Sequence, residues 1–129
     1  WSSYDDLYQF HPSFNVNTTD REEDLAIAVS SLEKFGNRVS FVRQTSEQAL
    51  GTINWCDIVY VDGLHDYDSV SFDIRNWYEK VVSGGIISGH DFYYEHAGVV
   101  LAVTEFCRKH KLQMNLTLED VPSWWVVKP

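Results

Sequence analysis

Two short apolar runs, each ending in acid, constrain this chain more than any other feature. "DIVYV" (57–61) leads straight into Asp62, and "GIIS" (85–88) leads through Gly89 into His90 and Asp91. Both runs are of strand length, and the first, β-branched and aromatic throughout, fits a strand buried on both faces of a parallel sheet. Between them Tyr67, Val70, Ile74, Trp77, Tyr78 and Val81 recur at helical spacing, and Gly84-Gly85 closes that helix. Strand, helix, strand in this order is a unit whose right-handed crossover lays the two strands side by side. Ligands of such sheets sit beyond the carboxyl ends of the strands. Asp62, His90 and Asp91 are therefore expected to meet.

The flanking segments extend the pattern. Asp20 followed by Glu23 resembles a capping box, Leu25, Ala28, Val29, Leu32 and Phe35 share one face, and Gly36 can end the helix, which predicts a helix over 21–35. "VSFVR" (39–43) reads as a short strand, and "TSEQAL" as a brief helical turn capped by Thr45 or Ser46. Val99, Val100, Val103, Phe106 and Cys107 mark a helix over 97–110. "LQMNLTL" and "SWWVV" read as two antiparallel strands joined by a turn containing Pro122. The whole is an α/β sheet with a closing antiparallel hairpin, in a single domain over 1–129 without repeats or linkers. The opening "WSSYDDLYQFHPSF" lacks an initiator methionine and a clear period, so the chain is expected to be a fragment of something longer.

Composition narrows the class. At 44% apolar and 15% aromatic the chain has the material for a core, and a net charge of −9 with ten scattered basic residues argues against nucleic acid and against acidic membranes. No apolar stretch approaches the roughly 20 residues that cross a bilayer, and no secretory leader is visible, so a soluble cytoplasmic protein is expected. Cys56 and Cys107 lack CxxC spacing and are expected to be buried free thiols. The sequons at Asn17 and Asn115 carry no weight without a secretion signal.

Two carboxylates and an imidazole, Asp62, His90 and Asp91, are a donor set suited to Mg²⁺ or Mn²⁺, with water or substrate oxygens completing the shell. The plain alternative is that the acids cap the helices that follow. Asp66 is better placed for that role, so the cap is assigned to Asp66 and the ligand role to Asp62 and Asp91. His65 stands level between a general base and a surface imidazole paired with Asp66 or Asp68. His96 could line a pocket but is expected to be exposed, and His11 and His110 to be surface or core residues. Tyr93, Tyr94, Trp124 and Trp125 fit either an aromatic acceptor site or ordinary packing.

"DIVYVDGLHDYDSVSFDIRNWYEKVVSGGIISGHDFYYEHAGVVLAVTEF" resembles the C-terminal half of class I S-adenosylmethionine-dependent methyltransferases, in particular the small-molecule O-methyltransferases of the macrocin and catechol type, and the resemblance covers nearly the whole chain, from about Trp1 to the closing "SWWVVKP". The resemblance implies a Rossmann-like sheet of order 3-2-1-4-5-7-6 and a chain that covers its later strands. It places the metal ligands at Asp62, His90 and Asp91, the general base at His65, and cofactor contacts at Thr45, Ser46 and Glu47, with Asp62 beside them. The implied acceptor is a small hydroxylated metabolite, a sugar or a phenol. The family's first two strands, its glycine-rich loop and the acid that holds the ribose have no counterpart in these 129 residues. Either the natural protein is longer or this domain has lost methyl transfer, and the chain alone is expected to be inactive. Rival readings are a non-catalytic interaction domain whose bare sheet edge pairs with another copy, a metal-dependent phosphohydrolase suggested by the His90-Asp91 doublet, and a receiver-like domain with Asp62 as phosphoacceptor. In the helical hydrolases that doublet lies in a helix bundle, whereas here it follows a strand. The receiver reading lacks the paired acids and the late lysine.

Overall fold

The computed structural model describes residues 18–129, with side chains from Glu22 onward. The aromatic opening with His11, the sequon asparagine at 17 and the Asp20 side chain lie outside the described residues. The chain divides between Thr45 and Ser46 into two compact units.

The first unit holds helix α1 (Thr18–Leu32) and a 3₁₀ segment, Glu33–Arg38. Residues 18 and 19 are already helical, so Asp20 lies within the helix and is not its cap, and the helix ends three residues short of the expected Phe35. Gly36, expected to end the helix, lies instead inside the 3₁₀ segment, where its φ of 56° and ψ of −131° make a kink that glycine tolerates. The predicted strand over 39–43 is absent: Val39 is extended, but the segment joins no ladder. A strand needs a hydrogen-bonded neighbour, and residues 39–43 have none among the described residues. Arg43 instead grips both carboxylate oxygens of Glu22.

The second unit carries the fold that places the site. Helix α2 (Ser46–Leu50) precedes strand β1 (Cys56–Val61), helix α3 (Tyr67–Lys80), strand β2 (Val81–Gly89), helix α4 (Ala97–His110) and the short strands β3 (Asn115–Leu116) and β4 (Trp124–Val127). The sheet order is β1-β2-β4-β3, with β1 and β2 parallel and β4 antiparallel to both neighbours. The two apolar runs are thus adjacent, Val59 opposite Ile87 and Val61 opposite Gly89. Helix α3 stops earlier than its periodicity implied. Val81, 2% exposed, is the first residue of β2, and Gly84 with φ 79° lies inside the strand, where the register shifts against β1.

Helices α3 and α4 pack on one face of the sheet. Val70, Ile74, Val99, Val103 and Phe106 meet Ile87, Trp124 and Val126 there, with Val59 and Val61 at the margin. The expectation that β1 is covered on both faces is wrong: Ile58 is 64% and Tyr60 54% exposed. β1 is an edge strand bonded only to β2 among the described residues, and its alternation sends every second side chain away from α3. Both cysteines are free thiols, Cys107 buried and Cys56 half-buried, and burial raises the pKa of the Cys107 thiol. Among the described residues no helix is long and apolar enough to cross a membrane.

Candidate functional site

β1 and β2 end side by side, so the turns that follow them share one space. His90 N–H donates to Val61 O at 3.2 Å, which ties the second turn to the first strand. Asp62, His90 and Asp91 each present a ligand atom within 4.8 Å of the others. The sequence-predicted trio therefore converges.

The capping alternative fails for Asp62 and Asp91. Asp66 is the N-cap of α3, its carboxylate accepting from Ser69 N at 2.9 Å, as its position implied. Helix α4 has His96 at its N-cap position and no side-chain cap bond at all. Neither acid is occupied at a helix start.

Asp91 is the centre of the cluster. Its side chain is only 13% exposed, and three imidazoles surround it: His65 Nε2 at 2.8 Å from Oδ2, His90 Nδ1 at 3.1 Å and His96 Nε2 at 3.6 Å from Oδ1. Its φ of 61° lies in the left-handed region, which a non-glycine residue holds only when its surroundings demand it. Here Tyr93 N–H donates to Asp91 O at 2.7 Å and Phe92 N–H to Pro122 O at 3.0 Å, locking the turn against the hairpin loop. His65 pairs with Asp91 and not with Asp66 or Asp68. His96, expected to be exposed, is half-buried with its ring 4.1 Å from that of His65.

One local signal pointed to His96. Gly98 follows it, and a Cβ there would run into the backbone of His65, Asp66 and Tyr67. The glycine lets the start of α4 press against the first turn and carries His96 with it. Gly89 acts likewise at the end of β2, where a side chain would strike Val61 O and the Trp124 indole. Trp124, 1% exposed, is a packing residue, while Tyr94 is 73% exposed. The hollow between the turns, lined by Asp62, His65, His90 and Asp91 among others, measures about 10 Å³, room for one water-sized particle.

A wider groove of about 400 Å³ lies beside β1, between Tyr60, Asp62, Ser46, Asp73 and Trp77. Ser46 Oγ donates to Asp73 Oδ1 and accepts from Trp77 Nε1 at 2.6 Å, which fixes the start of α2 against α3. Burial raises the Asp73 carboxyl pKa, the Ser46 bond opposes this, and the charge of Asp66 adds to the rise. Sequence patterning did not single out this network, because Asp73 and Trp77 read as ordinary helix positions. Of the residues expected near the cofactor, Ser46 and Asp62 line the groove, Glu47 is exposed on α2, and Thr45 ends the first unit.

An open α/β sheet with polar residues gathered at two adjacent strand ends defines the Rossmann-like class of fold. Residues 5–92 match the family model described as a methyltransferase domain, and the chain belongs to that family, whose expected cofactor is S-adenosylmethionine. No curated protein matches the sequence directly. Among solved structures it is similar to the O-methyltransferase NovP, with 25% identity and a TM-score of 0.51 over 59% of this chain and 31% of NovP. A putative caffeoyl-CoA O-methyltransferase from Staphylococcus aureus shares the fold at 11% identity and TM-score 0.63, over 81% of this chain and 59% of that one. Precorrin 8w decarboxylase of Methanobacterium thermoautotrophicum shares it at 19% identity and TM-score 0.56, over 76% and 60%. The chain thus spans 31% to 60% of the length of these relatives. The observed order β1-β2-β4-β3 corresponds to strands 4-5-7-6 of the expected sheet.

Proposed function

We propose that this chain is the acceptor-side part of an S-adenosylmethionine-dependent O-methyltransferase acting on a small hydroxylated metabolite, a sugar or a phenol. The observation that carries the reading is the convergence of Asp62, His90 and Asp91 at two adjacent strand ends of a methyltransferase domain. Two hard carboxylates and one imidazole fit Mg²⁺ or Mn²⁺, and the small hollow beside them has the scale of a single ion. When bound, such a cation supplies a lowered pKa for an acceptor hydroxyl. Asp62 and Asp91 orient the acceptor, and His65 takes the hydroxyl proton. Its Nε2 faces Asp91 Oδ2, so a neutral ring that donates there keeps its lone pair on Nδ1, and Asp91 holds the ring in that tautomer. Ser46, Glu47 and Thr45 belong to the cofactor side of the same proposal.

The 2.8 Å contact between His65 and Asp91 favours a second reading, in which Asp91 serves the imidazole alone and transfer needs no metal. Assay of labelled methyl transfer from S-adenosylmethionine to a panel of sugars and phenols, with and without a chelator, separates the two. Loss of activity on chelation, restored by Mg²⁺ or Mn²⁺, supports the cation; full activity in the chelator rejects it. The 129 residues contain no glycine-rich turn after a first strand, so the assay belongs in a protein that also supplies one, and the chain alone is proposed to bind the cofactor weakly or not at all. Saturable binding by the isolated chain in calorimetry would overturn that part. The edge of β1, which has no strand partner besides β2 among the described residues, suits pairing with a second copy, which sedimentation of the purified chain would test.

A further inference from the structure

A third hollow lies between helices α3 and α4 and measures about 170 Å³. Its floor is apolar, made by Ala102 and Phe106, and its rim carries Arg75 and Lys109. Arg75 Nε donates to Ser71 O at 2.8 Å, one turn back on α3, so the guanidinium is anchored beside the hollow it lines. Neither cation has a carboxylate partner among the described residues, in a chain of net charge −9 where acids outnumber bases nineteen to ten.

The second observation is Ser71. The residue is 8% exposed and lines the hollow together with the two cations, with no hydrogen bond from its hydroxyl to another described side chain or backbone group. A serine hydroxyl at that place can donate to an acceptor bound in the hollow. Glu105 is the only acid at the rim, and Tyr67 Oη donates to it at 2.6 Å, which occupies one of its oxygens and draws it toward the Tyr67 end. The basic last turn of α4, with Arg108, Lys109 and His110, also answers the helix dipole. That role needs neither Arg75 on the other helix nor a hydroxyl in the same hollow.

We propose that this hollow is a binding site for a small oxyanion, the phosphate or carboxylate group of a metabolite whose apolar part rests on Ala102 and Phe106. Arg75 and Lys109 supply charge, and Ser71 donates to an anion oxygen. The proposal stands apart from the methyltransferase reading, because none of these residues belongs to the strand-end cluster.

Amide spectra of the full 129-residue chain, titrated with phenyl phosphate and with inorganic phosphate at constant ionic strength, test it. The expected result is saturable shifts at Ser71, Arg75, Ala102 and Lys109, with phenyl phosphate the tighter ligand. Arg75→Gln and Lys109→Gln should each weaken binding roughly three- to tenfold, and Glu105→Gln should tighten it about twofold or more. These are exposed positions, so the variants fold, and unchanged dispersion of the other amides verifies it. Absence of saturation, shifts that map to the His65–His96 cluster instead, or equal affinity in the double Arg75→Gln, Lys109→Gln variant would each overturn the proposal.

Discussion

The turn after β1 and the turn after β2 both carry a strand end into a helix through polar residues, and they dispose of those residues differently. In the first, Asp66 caps α3 and leaves Asp62 exposed at the strand end. In the second, α4 has no side-chain cap, and Asp91 is bent into a left-handed backbone to face three imidazoles. One turn completes its helix by the ordinary device. The other forgoes that stabilisation and holds its acid in an unfavoured backbone conformation, and the proposed function rests on that acid.

The sharpest way to break the comparison is to replace the acids one at a time. In a protein that also supplies the glycine-rich turn, Asp62→Asn and Asp91→Asn should each remove most methyl transfer and weaken Mg²⁺ or Mn²⁺ binding while leaving cofactor affinity nearly intact. Activity assays and metal titration read both, and parent-like activity in either variant would return these residues to a structural role. His65→Ala should come next, lowering turnover by about 10²–10⁴ with metal affinity kept. Retained turnover would assign His65 to the support of Asp91 alone.

Stability measurements sharpen the rest. Gly98→Ala drives a methyl into the backbone of residues 65–67 and should cost about 1–3 kcal/mol in denaturant unfolding, with activity falling because His65 and His96 move apart. An unchanged midpoint would mean the two turns are not pressed together. Asp66→Ala should cost about 1 kcal/mol through the lost cap, and Asp66→Asn almost nothing, both with activity intact. The smallest effect concerns Asp73, whose pKa burial raises. Its protonated form is the one the fold favours, so the stability linked to it is present at low pH and is lost as pH rises through the folded pKa. Asp73→Asn should therefore melt slightly above the parent at pH 7, with the gap closing in acid. A gap that widens in acid would reverse the sign.

Much of the site could be read along the chain because local rules govern it. Alternation and run length mark β1 and β2, the crossover rule makes them neighbours, and an acid just past each strand end is then bound to meet its counterpart. Asp66 was legible as a cap for the same reason: capping is decided within one turn of helix. The strand at 39–43 was not, since strand propensity needs a partner that lies elsewhere, and periodicity overran at Val81 because a buried valine suits a helix or a strand equally.

What the sequence by itself determined is the order of elements, the convergence of Asp62, His90 and Asp91, and the likeness to methyltransferases. Only the tertiary structure decided which partner each titratable side chain takes. His65 turns to Asp91 instead of Asp66 or Asp68, His96 joins it across Gly98, and Ser46 bonds Asp73 twenty-seven residues away. It also decided that β1 lies bare on one face and that Arg75, Lys109 and Ser71 share a hollow. The physical reason is the range of the forces. Backbone pattern is set by neighbours within a few residues, whereas hydrogen bonds and ion pairs form between whatever groups packing brings within about 3 Å.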